Sequence, residues 1–261
     1  MAGAESFSVG WVQSSSRRSP AAFTTTSDHG WGNWQPATFG LVALTLAVGF
    51  VVAERVAGDP VLPLGMFDSA RFSIATAIGA PFNFGLYGTL FCLALYLEHT
   101  LHRSARAAGL VILPLTAVVA ICAALSGHLN ARFGPRVPML IGLVAGVIGL
   151  VAGVIGAGLL ATCAATTAVG PVVAYAAIFG VIGTAMPAMT AVALGASPPG
   201  RAALGSVVLN ASRQTGGVLG VAVLGSVLEP HPGQPTLHIA MAIVCGGYLA
   251  AAFLATRINT T

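Results

Sequence analysis

The sequence predicts an all-α membrane protein, a polytopic bundle of about seven transmembrane helices. Two observations lead to this prediction: 56% of the 261 residues are apolar while only 7% are charged, and the apolar residues occur in long runs. A soluble domain carries about 25% charged residues, because its surface must meet water. The low charge therefore disfavours a soluble enzyme and predicts that lipid surrounds most of the surface.

Seven apolar segments are separated by charged residues, prolines and glycine clusters. Crossing a hydrocarbon core of about 30 Å takes about 20 helical residues. Residues 1–36 lack the apolar core of a signal peptide and are predicted to be an extracytoplasmic loop or tail. A transmembrane bundle then covers 37–256, and 257–261 form a cytoplasmic tail. The predicted spans are 37–53, 72–97, 107–127, 137–161, 169–194, 202–228 and 236–256.

The distribution of arginines predicts the orientation in the plasma membrane. Positive residues in short connections stay in the cytoplasm. One set of connections carries six arginines close to the spans and the opposite set carries two, which favours an outside N-terminus and a cytoplasmic C-terminus. The six are Arg55, Arg71, Arg132, Arg136, Arg201 and Arg257, and the two are Arg103 and Arg106.

Several other classes of function have little support. The basic residues form no stripe with interleaved aromatic residues, which argues against a nucleic-acid partner. His99 and His102 beside Glu98 fit a solvated loop better than a metal site. No nucleophile elbow, phosphate loop or HExxH motif occurs, and no acid lies well inside a span, so neither an enzyme nor a cofactor is expected. The four cysteines, without CxxC spacing, fit helix contacts: Cys92, Cys122, Cys163 and Cys245.

The span 137–161 contains a tandem repeat, GLVAGVI. Its glycines recur at alternating spacings of four and three residues, which places them on one face of a helix. Such a face allows a neighbouring backbone to approach closely in lipid, so a helix contact is predicted there. The spacing leaves open whether this contact is static or slides. The predicted packing residues are Gly142, Gly146, Gly149, Gly153 and Gly156.

The span 202–228 contains the most polar intramembrane sequence. Arg213 would lie roughly 16 Å along the helix axis, near the membrane centre, where an arginine costs at least about 2.5–3.5 kcal/mol. It is predicted to face a water-filled cavity or a polar partner, unless a later helix start lets it reach the cytoplasmic interface. Asn210 shares its face and Gln214 follows it. Asn83, the only amide of its span, either bonds to another helix or lines a cavity.

Several motifs occur in an order and spacing typical of a known family. The most specific are the sequence GHLNARFGPR at 127–136 and the segment 201–225; shorter pieces are Tyr96-Leu97 and Leu113-Pro114. With these motifs, the chain over about residues 30–256 resembles the C-terminal half of a fourteen-span drug:proton antiporter of the major facilitator superfamily, the EmrB/QacA type.

This resemblance implies a cytoplasmic gate and a substrate cavity. The segment 127–136 is similar to the superfamily's loop motif, although Ala131 takes the place of the acid that usually precedes the arginine. The charge–dipole latch of the motif is therefore not expected here, and its arginines serve as cytoplasmic anchors. The implied gate residues are Gly127, Arg132, Gly134 and Arg136, and the implied cavity residues are Asn83, Asn210, Arg213 and Gln214.

The family further implies transmembrane transport, as proton-driven export of small hydrophobic or cationic compounds by alternating access. Its proton-coupling motifs lie in the N-terminal half, so the expected partners are the lipid bilayer and a complementary N-terminal half. A split gene, a fragment and a functional dimer remain open. The alternative from another class is a degenerate remnant or a non-transporting membrane subunit that docks a partner through the glycine face.

Overall fold

The computed structural model confirms an all-α bundle. Every regular element in the described residues is helical. The chain divides into two compact units, Met1–Val61 and Leu62–Thr261. In the first unit, the predicted tail 1–36 and much of the first predicted span, 37–53, lie outside the described residues. The structure describes residues 41–42, 45, 48–49, 52–56, 64–100, 102, 104–162, 178–228 and 234–258.

The described part of the second unit consists of helices, beginning with a 3-10 helix at Leu64–Asp68. Residues 178–184, which include a 3-10 turn at Val181–Thr184, lead into the fourth helix. Residues 169–177 of the predicted span 169–194 lie outside the described residues. The helices are α1 (Ala70–Leu95, continued by a π-helical turn at Tyr96–Thr100), α2 (Ala105–Phe133), α3 (Arg136–Thr162), α4 (Ala185–Gly195), α5 (Ala202–Leu228) and α6 (Gln234–Thr256).

Most of these helices can cross a bilayer by length and composition. Over the described residues there are five such segments. In α3 the part with described side chains, Arg136–Ala152, is a shorter apolar helix, and its backbone continues to Thr162. The chain is therefore a multi-pass membrane protein. The five segments are Ala70–His99, Ala105–Phe133, Ile178–Gly195, Ala202–Leu228 and Thr236–Thr256.

Helices α1 and α5 form the most extensive helix pair and run in the same direction. A β-carbon at Gly216 would meet the backbone of Ala80, and one at Gly220 would meet the backbone of Phe84. The two helices touch backbone to backbone at these glycines. Such close approach gives membrane helices their packing energy, because lipid provides no hydrophobic drive for their association.

Two buried hydroxyl groups connect α2, α3 and the turn that precedes α4. The Ser126 hydroxyl donates a hydrogen bond of 2.7 Å to the Thr184 carbonyl. The Thr184 hydroxyl lies 2.9 Å from the Pro138 carbonyl and 2.9 Å from the Val181 carbonyl of its own turn, and its single proton can be donated to either of them. Pro187 follows this turn and has no N–H to donate to the carbonyl of Gly183. The residues before it form the tighter 3-10 turn at Val181–Thr184. Hydroxyl groups of neighbouring helices commonly satisfy the backbone around such prolines.

We expect Thr184→Val to lower the free energy of unfolding by about 1 kcal/mol, because it removes a buried hydrogen bond between helices. The matched control is Thr190→Val, since the partner of the Thr190 hydroxyl among the described residues is the Met186 carbonyl in its own helix, at 3.0 Å. Unfolding of both variants in mixed detergent micelles measures the difference. Equal losses would show that the hydroxyl of Thr184 does not connect the helices.

Candidate functional site

Arg213 lies near the middle of α5 and contacts α1. Its guanidinium carbon is 5.8 Å from the centroid of the Phe82 ring, a cation–π arrangement. A β-carbon at Gly79 would be 3.0 Å from Arg213 Cγ, so the side chain passes over this glycine. Its Nε atom is buried and has no hydrogen-bond partner within the described residues. The helix start at Ala202 places this cation well inside the span.

The part of α1 that contacts α5 also carries other polar atoms. Asn83 is 1% exposed, and its Oδ1 has no hydrogen-bond partner among the described residues; the same holds for Thr76 Oγ1. The Ser212 hydroxyl donates a hydrogen bond of 2.7 Å to the Thr76 carbonyl. Buried polar atoms usually have partners. Unused hydrogen-bonding capacity is therefore concentrated on α1 close to the level of Arg213.

Asn210 and Gln214, in contrast, are exposed on α5. The structure thus brings Arg213 against α1 but leaves these two amides on the open side of α5. They are therefore separated from the buried Asn83. An amide that faces hydrocarbon without a hydrogen bond costs several kcal/mol. This face of α5 therefore needs water or another polar protein surface.

The segment 127–136 is mostly helical. Helix α2 continues to Phe133 and ends at Gly134, whose φ of 74° lies in the left-handed region that glycine adopts readily. Only Gly134 and Pro135 separate α2 from α3. The predicted span ended at residue 127, yet no helix breaker occurs before Gly134, so the helix extends beyond it. Gly127 is exposed, and a β-carbon there would meet no atom within 4 Å.

The two arginines of this segment have different surroundings. Arg136 begins α3, and its Nη2 donates a hydrogen bond of 2.7 Å to the carbonyl of Thr256 at the end of α6. The guanidinium of Arg132 lies 5.4 Å from the ring centroid of its neighbour Phe133. Arg136 therefore connects the start of α3 to the end of α6, while Arg132 remains exposed at the end of α2.

The glycine face of α3 packs against residues from the same chain. A β-carbon at Gly149 would be 2.6 Å from Phe179 Cα, and one at Gly142 would be 2.8 Å from the amide nitrogen of Ala185. At Gly146 the neighbours are the side chains of Ile182 and Tyr248. The segment around 178–185 fills this face. The surroundings of Gly153 and Gly156 lie outside the described residues.

Sequence reasoning missed the glycines of the α1–α5 contact. Gly216 and Gly220 are four residues apart, the small-xxx-small pattern that allows membrane helices to pack closely. This pattern is present in the sequence, but it consists of two glycines, whereas the repeat in α3 has five. Within the described residues, no group of three or more His, Cys, Asp or Glu could hold a metal ion.

Comparisons with known proteins identify relatives of this chain, although no family model matches it. The multidrug resistance protein Stp of Mycobacterium tuberculosis is 32% identical over 212 residues, covering 76% of this chain and 38% of Stp. The tetracenomycin C resistance and export protein of Streptomyces glaucescens is 28% identical and covers 78% of the chain. EfpA, an uncharacterized MFS-type transporter of Mycobacterium tuberculosis, is 35% identical over 44% of the chain.

The chain spans less than two fifths of the length of the first two relatives, 38% and 37%. The relatives are transporters and resistance proteins rather than enzymes, which fits a membrane protein without catalytic motifs. These relatives also confirm the resemblance expected from the sequence motifs. The chain is therefore homologous to part of the multidrug and antibiotic resistance exporters of the major facilitator superfamily.

Proposed function

We propose that this chain forms one bundle of a drug exporter and works by alternating access with a complementary N-terminal half. The polar face of α5 carries the proposal: Arg213 is half-buried near the membrane centre, and Asn210 and Gln214 are exposed beside it. Polar side chains in membrane helices face a bundle interior or a water-filled cavity. The names of the relatives, which mention resistance and export, support the same function.

Exposed helix faces support a second bundle as the partner. In an apolar stretch of 18 residues of α2 only 12% of the residues are buried, compared with 28% in such a stretch of α5 and 44% in one of α1. Superfamily transporters place their substrate between two bundles and rock one against the other. The open faces of α2 and α5 fit surfaces that such a partner would cover, with Asn210, Arg213 and Gln214 as part of the cavity wall.

The proposed substrates are small hydrophobic or cationic compounds, and the proposed coupling ion is the proton. No Asp or Glu occurs within α1 to α6, and the guanidinium of Arg213 stays protonated at any relevant pH. The proton-cycling group would therefore come from the partner half. An acid of that half, placed opposite Arg213, would balance its charge and take up the proton.

Cysteine accessibility tests the cavity directly. In a cysteine-free chain co-expressed with a matching N-terminal half, we expect Gln214→Cys to react with a charged thiol reagent at least tenfold faster than Leu219→Cys. The two positions point to different sides of α5, and Leu219 is 51% exposed. Both are therefore open in the isolated bundle, and only a water-filled cavity on the side of Gln214 would separate their reactivity. Equal rates would place this face of α5 in lipid.

We further propose that the N-terminus is outside and that the arginine-rich helix ends, with the gate residues Arg132 and Arg136, are cytoplasmic. In a cysteine-free background, His99→Cys should react with an impermeant maleimide in whole cells. Ala131→Cys should react only after permeabilisation. Both native positions are exposed, and they lie near opposite ends of the helices. The reverse pattern of labelling would invert the proposed orientation.

An interaction subunit that docks through the glycine face of α3 has less support. The described part of that face, at Gly142, Gly146 and Gly149, is filled by the chain's own residues around 178–185 and by Tyr248. A partner that used this surface would first have to displace them. The exposed amides of α5 would still need a polar environment, which the two-bundle exporter provides.

A further inference from the structure

Tyr87 is a half-exposed aromatic residue deep inside the membrane part of α1. Its side chain is 46% exposed, and it lies within one turn of the middle of the segment Ala70–His99. Tyrosines of membrane proteins are enriched at the membrane–water interfaces, where the hydroxyl group can meet water. A hydroxyl group that faces hydrocarbon without a hydrogen bond costs free energy. The position of Tyr87 therefore favours a polar environment over acyl chains for its exposed part.

The ring of Tyr87 lies against α5 at Gly217. A β-carbon at Gly217 would be 2.9 Å from Cδ2, 3.5 Å from Cε2 and 3.6 Å from Cγ of the ring. One edge of the ring is therefore packed against the glycine, and the opposite edge is directed away from it. A tyrosine side chain has only two χ angles, so this contact positions the ring at a low cost in entropy. Tyr87 thus offers a positioned aromatic surface.

Gly217 connects this ring with the polar face of α5. It follows Gln214 by three residues and Asn210 by seven, spacings that place the three residues on adjoining parts of one helix face. Asn210 and Gln214 are exposed. At ~1.5 Å per residue, Gly217 lies about 4.5 Å beyond Gln214 and about 6 Å beyond Arg213 along the helix axis. The proposed cavity wall therefore combines amides, a positive charge and an aromatic ring.

We infer that Tyr87 contacts the transported compound and selects compounds that carry an aromatic ring. The inference rests on the proposed function, because it needs a substrate cavity on this face of α5. An aromatic ring pairs with a tyrosine ring edge to face or in an offset stack, which raises affinity by up to about tenfold beyond the effect of buried area. An aliphatic compound of similar size lacks this gain. The amides of α5 would bind the polar groups of the same compound.

Binding of two phosphonium ions tests this role. Tetraphenylphosphonium carries aromatic rings and tetrabutylphosphonium carries alkyl chains, while their charges are identical, so repulsion by Arg213 affects both alike. In the chain purified with a matching N-terminal half, we expect Tyr87→Leu to weaken binding of tetraphenylphosphonium about fivefold and binding of tetrabutylphosphonium by less than about twofold. Tyr87→Phe retains the ring and should bind both ions like the wild type.

Phe91→Leu is the matched control. Phe91 also lies on α1 and against a glycine of α5, since a β-carbon at Gly225 would be 3.0 Å from its Cε1. Gly225, however, is eight residues beyond Gly217, or about 12 Å along the helix. This variant loses a ring away from Gln214, so phosphonium binding should stay unchanged.

Gly217→Ala is a second test that retains Tyr87. Its β-carbon would force the ring to shift, so the preference for the aromatic ion should decrease. Thermal melting of all variants checks that the bundle remains folded, and Gly217→Ala decides if Tyr87→Leu does not fold.

The inference would be overturned by equal changes for the two ions in Tyr87→Leu, by an equal loss in Phe91→Leu, or by a wild type that binds neither ion. Efflux of tetraphenylphosphonium from proteoliposomes, measured in parallel, tests the proposed function separately. Selective binding that depends on Tyr87 but is not followed by efflux would support the aromatic contact and contradict export. Efflux with unchanged binding in Tyr87→Leu would support export and overturn the aromatic contact.

Discussion

Gly216→Ala is expected to destabilise the bundle by about 2–3 kcal/mol, the upper range for forcing extra atoms into a packed contact. The added β-carbon would lie 2.6 Å from both the Cα and the carbonyl carbon of Ala80. These are backbone atoms and cannot rotate away. Helices α1 and α5 would therefore have to separate over their whole contact. Reversible unfolding in mixed micelles, with each variant compared with the wild type, gives the free-energy difference.

Gly246→Ala is the matched control for this substitution. Gly246 also lies inside a membrane helix, α6, but a β-carbon there would meet no atom within 4 Å. Alanine favours helix more than glycine does by about 1 kcal/mol, so we expect this variant to be as stable as the wild type or slightly more stable. If both variants unfold alike, the close contact between α1 and α5 does not exist.

The other large effect is expected in transport. Expressed alone, the chain should give no uncoupler-sensitive ethidium efflux, whereas co-expression with a matching N-terminal half should restore it. Two reasons support this expectation. Alternating access needs a second bundle against which the first can move, and α1 to α6 contain no acid that could cycle a proton. Efflux from energised proteoliposomes that contain one or both polypeptides measures the difference.

Arg213 variants determine whether the restored activity uses the proposed cavity. In the two-part transporter we expect Arg213→Ala to lower the efflux rate at least tenfold, because it removes the central charge opposite the partner half. Leu219→Ala, on a different side of the same helix, should leave the rate unchanged. Uncoupler-sensitive efflux by the chain alone, abolished by Arg213→Ala, would replace the two-part exporter with a functional dimer of this chain.

The sequence predicted helices better than it predicted their contacts. Prolines and a charged residue stand at each end of α5, before Ala202 and after Leu228, and no proline or acid occurs between them. The range of α5 therefore follows from the sequence alone. The end of α2 was harder to place, since residues 128–133 are polar enough for a loop yet contain no helix breaker. Gly134 ends the helix through its backbone conformation, a feature that polarity does not reveal.

The polar residues of the proposed cavity were visible in the sequence, but their separation was not. Periodicity places Asn210 and Arg213 on adjoining parts of one helix face. It gives no position for α1, which covers Arg213 and leaves Asn210 exposed. The burial of Asn83 was equally hidden, because it depends on packing between helices far apart in sequence. Contacts between distant segments need the three-dimensional arrangement.

The pairing of α1 with α5 has a consequence for the synthesis of the protein. Ser212 and its partner Thr76 are separated by 136 residues. At about 5–20 residues per second, a ribosome needs roughly 7–27 s to make that length of chain. During this time α1 is already made while its glycine-lined surface lacks the helix that covers it. The early helices therefore depend on the insertion machinery, or on one another, until α5 emerges and completes the bundle.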